Sequence, residues 1–211
     1  MNLSRLLAGV LSVAICPVAA SATIDVLVVD ALGQPIPEVV VFTRDSDQSA
    51  AAPEPVVLDQ IDRRFEPHIL VIEKGTAVSF PNSDAVAHHV YSFSKPNDFA
   101  LPLYKGTVPD PVRFEHEGIV TIGCNIHDDM LAYVVVVDSS SFAKTDQDGH
   151  ASLDLPATGS ESAVTAWSPR FRGNKGYRTQ NLPAGETQLV IQIKKKLRPP
   201  HTQGTGSSTP Y

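Results

Sequence analysis

Short runs of apolar residues, each bounded by glycine, proline, asparagine or aspartate, recur along almost the whole chain. The runs are rich in valine and isoleucine, a pattern that is typical of β-strands. No segment shows the 3.6-residue apolar period of an amphipathic helix over a convincing length, and the 17 prolines and 13 glycines disfavour long helices. We therefore predict an all-β protein, with strands at residues 23–30, 38–43, 65–73, 76–80, 88–93, 112–114, 118–122, 131–137, 163–167 and 187–193 and a hairpin at 142–155.

The predicted strands fall into three blocks along the chain. The blocks at residues 23–55 and 139–195 contain too few strands to bury a sheet face alone, because two or three strands are marginal in water. We predict that these two blocks pair as one split β-sandwich and that residues 56–138 form a second domain inserted between them. Three consecutive pieces of one larger β domain are the alternative. Residues 196–211 are basic, then rich in Gly, Ser, Thr and Pro, and are predicted to be a disordered tail.

The N-terminal 22 residues have the parts of a secretory signal peptide. Arg5 precedes an apolar run at residues 6–20, and the segment ends in Ala-Ser-Ala at residues 20–22, a small-x-small cleavage site. The run is short for a membrane span and no stop-transfer charges follow it, although an uncleaved anchor is the alternative. We therefore predict a signal peptide at residues 1–22, export to the periplasm and no stable membrane insertion.

Charge and motif content exclude several classes of function. Removal of residues 1–22 would change the formal net charge from −6 to −7, because the segment carries one basic residue and no acidic one. A mildly acidic surface argues against nucleic acid or an anionic membrane as the partner. The sequence shows no Ser/His/Asp set, no paired carboxylates and no Gly-rich phosphate loop, so it indicates no enzymatic activity.

Cys124 begins a Cys-x2-His-x2-Met pattern that continues with His127 and Met130. The only other cysteine, Cys16, lies in the predicted signal peptide, so the exported chain would carry one thiol and no internal disulfide. A lone thiol is a liability in an oxidising compartment unless something occupies it. Thiolate, imidazole and thioether donors together favour copper. With His88 added from another strand end, the sequence predicts one copper ion bound by His88, Cys124, His127 and Met130.

Each of these residues also has a simpler interpretation. Cys124 could be a buried structural thiol and Met130 a core filler, since both residue types pack well in cores. His89 could replace His88, but adjacent strand residues point to opposite faces of a sheet. His68 lies at the entry to a strand, either as a surface residue or as a further group beside the metal.

Residues 60–138 resemble the cupredoxin (blue copper) family. The resemblance rests on the Cys-x2-His-x2-Met loop, on the Asn-containing segment at residues 82–88 that ends in His88, and on Phe-x-Pro at residues 65–67. It implies a Greek-key β-sandwich and one-electron transfer through Cu(I)/Cu(II). It also implies that His127 is the ligand edge nearest solvent and that the protein works with a redox partner protein. The loop is most similar to the amicyanin and plastocyanin branch, which implies a link to methylamine utilization.

The flanking blocks carry a second, less specific resemblance. The pattern Val-x-Asp-x-x-Gly-x-Pro-Ile at residues 28–36 and Thr-Asp-Gln-Asp-Gly at residues 145–149 are similar to the carboxypeptidase regulatory-like β-sandwich. This implies an immunoglobulin/transthyretin-like sandwich around the cupredoxin domain.

The ligand loop departs from the cupredoxin pattern at its rim. Ile126 stands where many members have proline, and His89 follows the first ligand where asparagine is usual. Asp128 and Asp129 place two carboxylates in a rim that is largely apolar in similar proteins, which indicates a basic partner or additional ligands. The sequence therefore predicts a periplasmic type 1 copper electron carrier. The alternatives are a copper-handling protein with a more open site and an interaction module without metal.

Overall fold

The computed structural model of the protein describes residues 22–44, 53–155 and 162–201. The regular structure within these residues consists of β-strands and one short 3-10 turn at Asn174–Gly176, so the prediction of an all-β protein is confirmed. No helix in this part of the chain is long and apolar enough to cross a membrane. Except for Ala22, the predicted signal peptide lies outside the described residues.

The strands, in chain order, are β1 (Ala22–Asp30), β2 (Val40–Thr43), β3 (Val56–Val57), β4 (Asp59–Ile61), β5 (Arg64–Glu66), β6 (Ile69–Glu73), β7 (Ala77–Ser79), β8 (Val90–Ser92), β9 (Phe99–Ala100), β10 (Val112–Arg113), β11 (Gly118–Cys124), β12 (Leu131–Val137), β13 (Phe142–Lys144), β14 (His150–Leu155), β15 (Ser162–Trp167), β16 (Tyr177–Leu182) and β17 (Gln188–Ile193). The sequence pattern did not predict β16, because this strand lies at a sheet edge and its polar residues are largely exposed. It also missed β4, which lacks an apolar run, and it joined most of β5 to β6 in one predicted strand at residues 65–73.

Strands from both ends of the chain share two sheets. One sheet has the order β14-β1-β17, with β1 antiparallel to β14 and parallel to β17. The other has the order β13-β2-β15-β16. Their inner faces meet in one apolar cluster that includes Val26, Val41, Leu153 and Ile191. The domain boundaries and the carboxypeptidase-like resemblance of these flanks stay predictions.

The middle of the chain forms a separate apolar cluster beneath a five-stranded sheet of order β6-β12-β11-β8-β9. A three-stranded sheet, β10-β7-β3, and the β4–β5 hairpin complete this part of the molecule. Phe65, Phe80, Phe114 and Ile122 are fully buried in the cluster. Burial of each such side chain contributes about 1.5–3 kcal/mol relative to exposure, so this core fixes the strands that carry the candidate site.

A third apolar cluster joins the two parts, and β12 contributes to both sides. Val134 and Val136 belong to the middle cluster, whereas Val135 and Val137 pack with Trp167. Successive side chains of a strand point to opposite faces of its sheet, so β12 is buried on both faces and has no polar side. The third cluster therefore packs directly on β12, the strand that begins after Met130.

The start of the predicted disordered tail has defined contacts. Residues 196–201 lie in an extended segment that crosses the loop after β15. The Arg198 N–H donates to the Arg170 carbonyl at 2.8 Å, and the His201 ring contacts both the Asp129 carbonyl and the His68 ring. The sequence did not predict this docking because it depends on partners distant along the chain. The remainder of the predicted tail, residues 202–211, lies outside the described residues.

Candidate metal centre

Cys124 is the last residue of β11, and it is buried at the point where this strand pairs with β8. The register places Cys124 opposite Val90 and Gly123 opposite Tyr91. A Cβ atom on residue 123 would lie 3.2 Å from the Cζ atom of Tyr91, which is tighter than ordinary packing. Glycine before the cysteine therefore lets the Tyr91 ring lie close against the strand that holds the thiol.

The loop after Cys124 is closed by backbone hydrogen bonds. The Met130 N–H donates to the His127 carbonyl at 3.0 Å, and the Cys124 N–H donates to the Met130 carbonyl at 3.3 Å. The Asn125 N–H donates to the His89 carbonyl at 3.3 Å and ties the loop to the neighbouring strand region. These bonds hold His127 beside Cys124 and return the chain to the core at Met130.

Three side-chain donors converge on one point. The Cys124 Sγ atom lies 3.7 Å from His88 Nδ1 and 3.6 Å from His127 Nδ1, and all three atoms lie within 4.8 Å of one another. A thiolate sulfur at about 2.3 Å and an imidazole nitrogen at about 2.0 Å in a trigonal plane around one ion would stand about 3.7 Å apart. Both sulfur–nitrogen separations match this value, so Cys124 and the two histidines are placed to bind one metal ion.

Asp84 holds the buried His88 ring in one orientation. The Asp84 Oδ2 atom lies 3.0 Å from His88 Nε2 and also accepts a hydrogen bond from the Arg63 N–H at 2.7 Å. With its Nε2–H donating to this carboxylate, a neutral His88 ring presents the Nδ1 lone pair towards Cys124. Burial opposes the charged form of Asp84, but the hydrogen bonds from Arg63, His88 and Ala85 outweigh it and lower the pKa of the carboxyl group.

Sequence reasoning did not assign a role to Asp84. Asp84 and His88 have an Asp-x3-His spacing in the sequence, but this spacing alone does not predict that the two side chains form a hydrogen bond. The rest of the loop is shaped by Asn82, whose side-chain amide donates to the carbonyls of Val86 and Tyr104 at 2.9 and 3.1 Å. Backbone hydrogen bonds in both directions between His88 and Tyr104 then fix the position of the histidine.

His127 differs from His88 in its exposure. Its ring is partly exposed, and its centroid lies 4.9 Å from that of the fully buried His88 ring. Burial is the main cause that lowers the pKa of His127, and the positive charge of Arg63 lowers it further. The neutral ring that a metal requires is therefore favoured at neutral pH. Ile126 is half exposed beside it, so this side of the centre has an apolar edge.

Met130 and His89 were also candidate ligands in the sequence. Met130 is buried in the same apolar cluster as Cys124, and its role as a fourth ligand stays a prediction. His89 does not join the three donors, and its ring packs on Tyr91 with 5.7 Å between centroids.

His68 also lies apart from the donors, with its Nδ1 atom 2.9 Å from the Leu131 carbonyl oxygen. Its pKa is lowered mainly by burial. Asp128 and Asp129 are exposed and do not join the donor group. Among the described residues, the predicted additional ligands are therefore absent from the cluster of His, Cys, Asp and Glu groups around Cys124.

Comparison with known proteins found no matching family model and no matching curated protein. Among solved structures, a reduced Cu(I) form of an amicyanin point mutant at pH 4 is 22% identical over 46% of this chain and 91% of its own, with a TM-score of 0.37. A pseudoazurin from Sinorhizobium meliloti is 17% identical over 42% of this chain and 77% of its own, with a TM-score of 0.32. A copper-containing nitrite reductase from Thermus scotoductus SA-01 is 24% identical over 52% of this chain and 28% of its own, with a TM-score of 0.38. All three are cupredoxins.

The chemistry of the three donors limits which kinds of metal ion the site would bind. One buried thiolate and two imidazoles form a soft, three-donor site, which suits copper better than the hard cations that prefer oxygen ligands. The centre therefore fits a single copper ion.

Proposed function

We propose that this protein is a type 1 copper protein that carries single electrons in the periplasm. The observation that carries the proposal is the convergence of Cys124, His88 and His127 at separations that match a trigonal set of ligands. Met130 would be the weak fourth ligand, because it returns to the buried cluster directly after the loop. A copper ion bound there would supply one-electron chemistry by cycling between Cu(I) and Cu(II).

The protein's own residues keep the donor positions fixed. Asp84 orients the His88 ring, and the backbone hydrogen bonds of the loop hold His127 and Met130. The apolar cluster around Cys124 keeps water away from the thiolate side. Because the same arrangement of donors serves both oxidation states, each transfer would require little movement of the protein.

His127 would be the point where electrons enter and leave. Cys124 and His88 are buried, so the partly exposed His127 edge is the accessible side of the centre. We therefore propose an electron carrier with a protein partner rather than an enzyme. The exposed carboxylates of Asp128 and Asp129 on the same loop favour a partner with basic groups around its docking site.

The more open copper-handling site has less support. It was predicted from Asp128, Asp129, His89 and His68 as additional ligands, and none of them lies in the donor group. We also propose that the protein is exported through the predicted signal peptide, on the basis of the N-terminal pattern. A link to methylamine utilization is proposed on the basis of the loop resemblance.

Visible and paramagnetic spectra of the Cu(II)-loaded protein test the proposal. We expect intense visible absorption from thiolate-to-copper charge transfer, and narrow copper hyperfine splitting in the electron paramagnetic resonance spectrum. Cys124→Ser should lose the visible band, whereas Asp128→Asn, in the same loop but outside the donor group, should keep it. A colourless complex, or a wide hyperfine splitting in the wild-type protein, would rule out the type 1 centre.

A further inference from the structure

Positive charge is concentrated in one part of this acidic protein. Residues 169–201 contain eight of the chain's 17 lysine and arginine residues, but only one of its 23 carboxylates, Glu186. None of these eight cations forms an ion pair with a carboxylate among the described residues. Like charges that cluster without counter-charges repel one another, so this group of cations is electrostatically unfavourable by itself.

Three of the arginines line one cleft of about 430 Å³. Arg170 and Arg172 come from the loop after β15, and Arg198 comes from the extended segment that crosses this loop. A volume of this size lies within the range of pockets that bind small organic molecules. None of the residues that line the cleft is a proposed ligand of the metal centre, although Leu131 directly follows Met130 along the chain.

Backbone carbonyls hold the three guanidinium groups in place. The Nε–H of Arg170 donates to the Arg198 carbonyl at 3.2 Å, and that of Arg172 donates to the Lys196 carbonyl at 2.9 Å. The Nη1 group of Arg198 donates in return to the carbonyls of Pro169 and Phe171 at 2.9 and 3.1 Å. The loop and the crossing segment are thus joined by the arginines themselves.

These hydrogen bonds use only part of each guanidinium group. Both Nη groups of Arg170 and Arg172, and the Nε and Nη2 groups of Arg198, have no acceptor within the described residues. A guanidinium that is already held in place loses less conformational freedom when it binds a planar oxyanion through two parallel hydrogen bonds. The cleft therefore presents positioned donors rather than freely rotating surface arginines.

The lining of the cleft also has an apolar part. It contains Leu131, Tyr133, Pro199 and Pro200. Tyr133 is itself supported by the buried Trp167 ring, with edge-to-face packing and 5.5 Å between centroids. An inorganic ion would contact only the arginine groups of this cleft, whereas a molecule with both an anionic group and a flat apolar part would also contact the apolar residues.

We propose that the cleft formed by Arg170, Arg172, Arg198 and Tyr133 binds a small organic anion that carries a phosphate or carboxylate group on an apolar body. The arginines hold the oxyanion, and the tyrosine and prolines pack against the apolar part. This site does not depend on the bound metal or on the proposed electron transfer.

Calorimetry with phenyl phosphate on the full-length protein tests the proposal, with inorganic phosphate and phenol as matched probes. We expect saturable binding of one phenyl phosphate per chain, about tenfold weaker binding of inorganic phosphate, and no measurable binding of phenol. Nuclear magnetic resonance of ¹⁵N-arginine-labelled protein gives an independent signal, because the hydrogen-bonded Nε–H groups of Arg170 and Arg172 should shift on binding.

The variant pair of Arg170→Gln with Arg172→Gln should weaken phenyl phosphate binding at least about tenfold. Arg113→Gln removes an exposed arginine from the middle sheet region and should change it less than about twofold. The same titration on Cys124→Ser should give the wild-type result, which separates this site from the metal centre. Absence of saturable heat in the wild-type protein, unshifted arginine Nε–H signals, or equal loss in the Arg113→Gln control would overturn the proposal.

Discussion

Asp84 accepts a hydrogen bond from His88 with only three residues between them, and the distance from Oδ2 to Nε2 is 3.0 Å. The carboxylate is in turn held by the backbone N–H of Arg63, which belongs to the turn between β4 and β5. A short hairpin far from Cys124 in sequence thus determines which nitrogen of His88 faces the thiol.

Asp84→Ala should lower the affinity for copper by about 10- to 100-fold, because His88 would lose the group that orients its ring. Asp84→Asn should have a smaller effect, since its amide oxygen can still accept the histidine proton. Competition with a chelator of known affinity measures the change, with Asp128→Ala as a control in the exposed rim. Equal affinities of Asp84→Ala and wild type would show that the ring needs no such support.

Met130→Leu separates ligation from core packing. The two side chains have similar volumes, so the free energy of unfolding of the metal-free protein should fall by less than about 1.5 kcal/mol. If Met130 is the fourth ligand, its loss should nevertheless change the visible spectrum and the reduction potential of the copper-loaded protein. An unchanged spectrum and potential would leave Met130 as a core residue only.

Gly123→Ala tests the close approach of Tyr91 to the strand that carries the thiol. The added methyl group would lie 3.2 Å from the tyrosine ring, so the strand or the ring must move. Because the contact is with the outer end of a partly exposed ring, the overpacking should cost at most about 1 kcal/mol of unfolding free energy, measured by denaturant titration. In a Tyr91→Ala background the same substitution should cost much less. A full cost in both backgrounds would place the strain elsewhere.

The pH dependence of stability should include a contribution from His150, whose Nδ1 atom lies 3.1 Å from both carboxylate oxygens of Asp25. The hydrogen bond to Asp25 is the main cause that raises the pKa of His150. A raised pKa in the folded state means that the contribution is present below the unfolded value of about 6.5 and is lost as pH rises through the folded value.

Titration of the His150 ring by nuclear magnetic resonance gives this pKa directly. Asp25→Asn should return it towards about 6.5 and should remove the corresponding loss of stability at rising pH. The effect should also shrink with added salt, because both groups are exposed. A His150 pKa that is the same in wild type and Asp25→Asn would contradict the prediction.

Local patterns in the sequence contained much of the fold and of the donor set. Cys124 and His127 could be identified as donors because they lie within one short loop, whereas the role of Met130 in that loop stays a prediction. Valine-rich runs such as β12 could be assigned to strands because both faces are buried. The role of Asp84 could not be predicted, because it depends on which donors surround a carboxylate after folding.

The arginine cleft was hidden for a similar reason. Arg170 and Arg198 are far apart along the chain, and the segment around Arg198 has the composition of a disordered tail. The loop after β15 supplies the carbonyl acceptors for Arg198, and they lie beside it only after the chain has folded. Edge strand β16 was missed because Tyr177 and Leu182, at its two ends, are its only apolar residues, so the strand shows no apolar alternation.

The double-sided burial of β12 limits how this protein can be divided or recombined. A fragment cut to residues 56–138 would keep the donors but would uncover Ile69, Val135 and Val137, which now pack under Phe42 and Trp167. Such a fragment would expose an apolar stripe to water and would tend to self-associate. The flanking strands therefore cover this apolar stripe, and grafting residues 56–138 onto another scaffold would require a replacement cover for it.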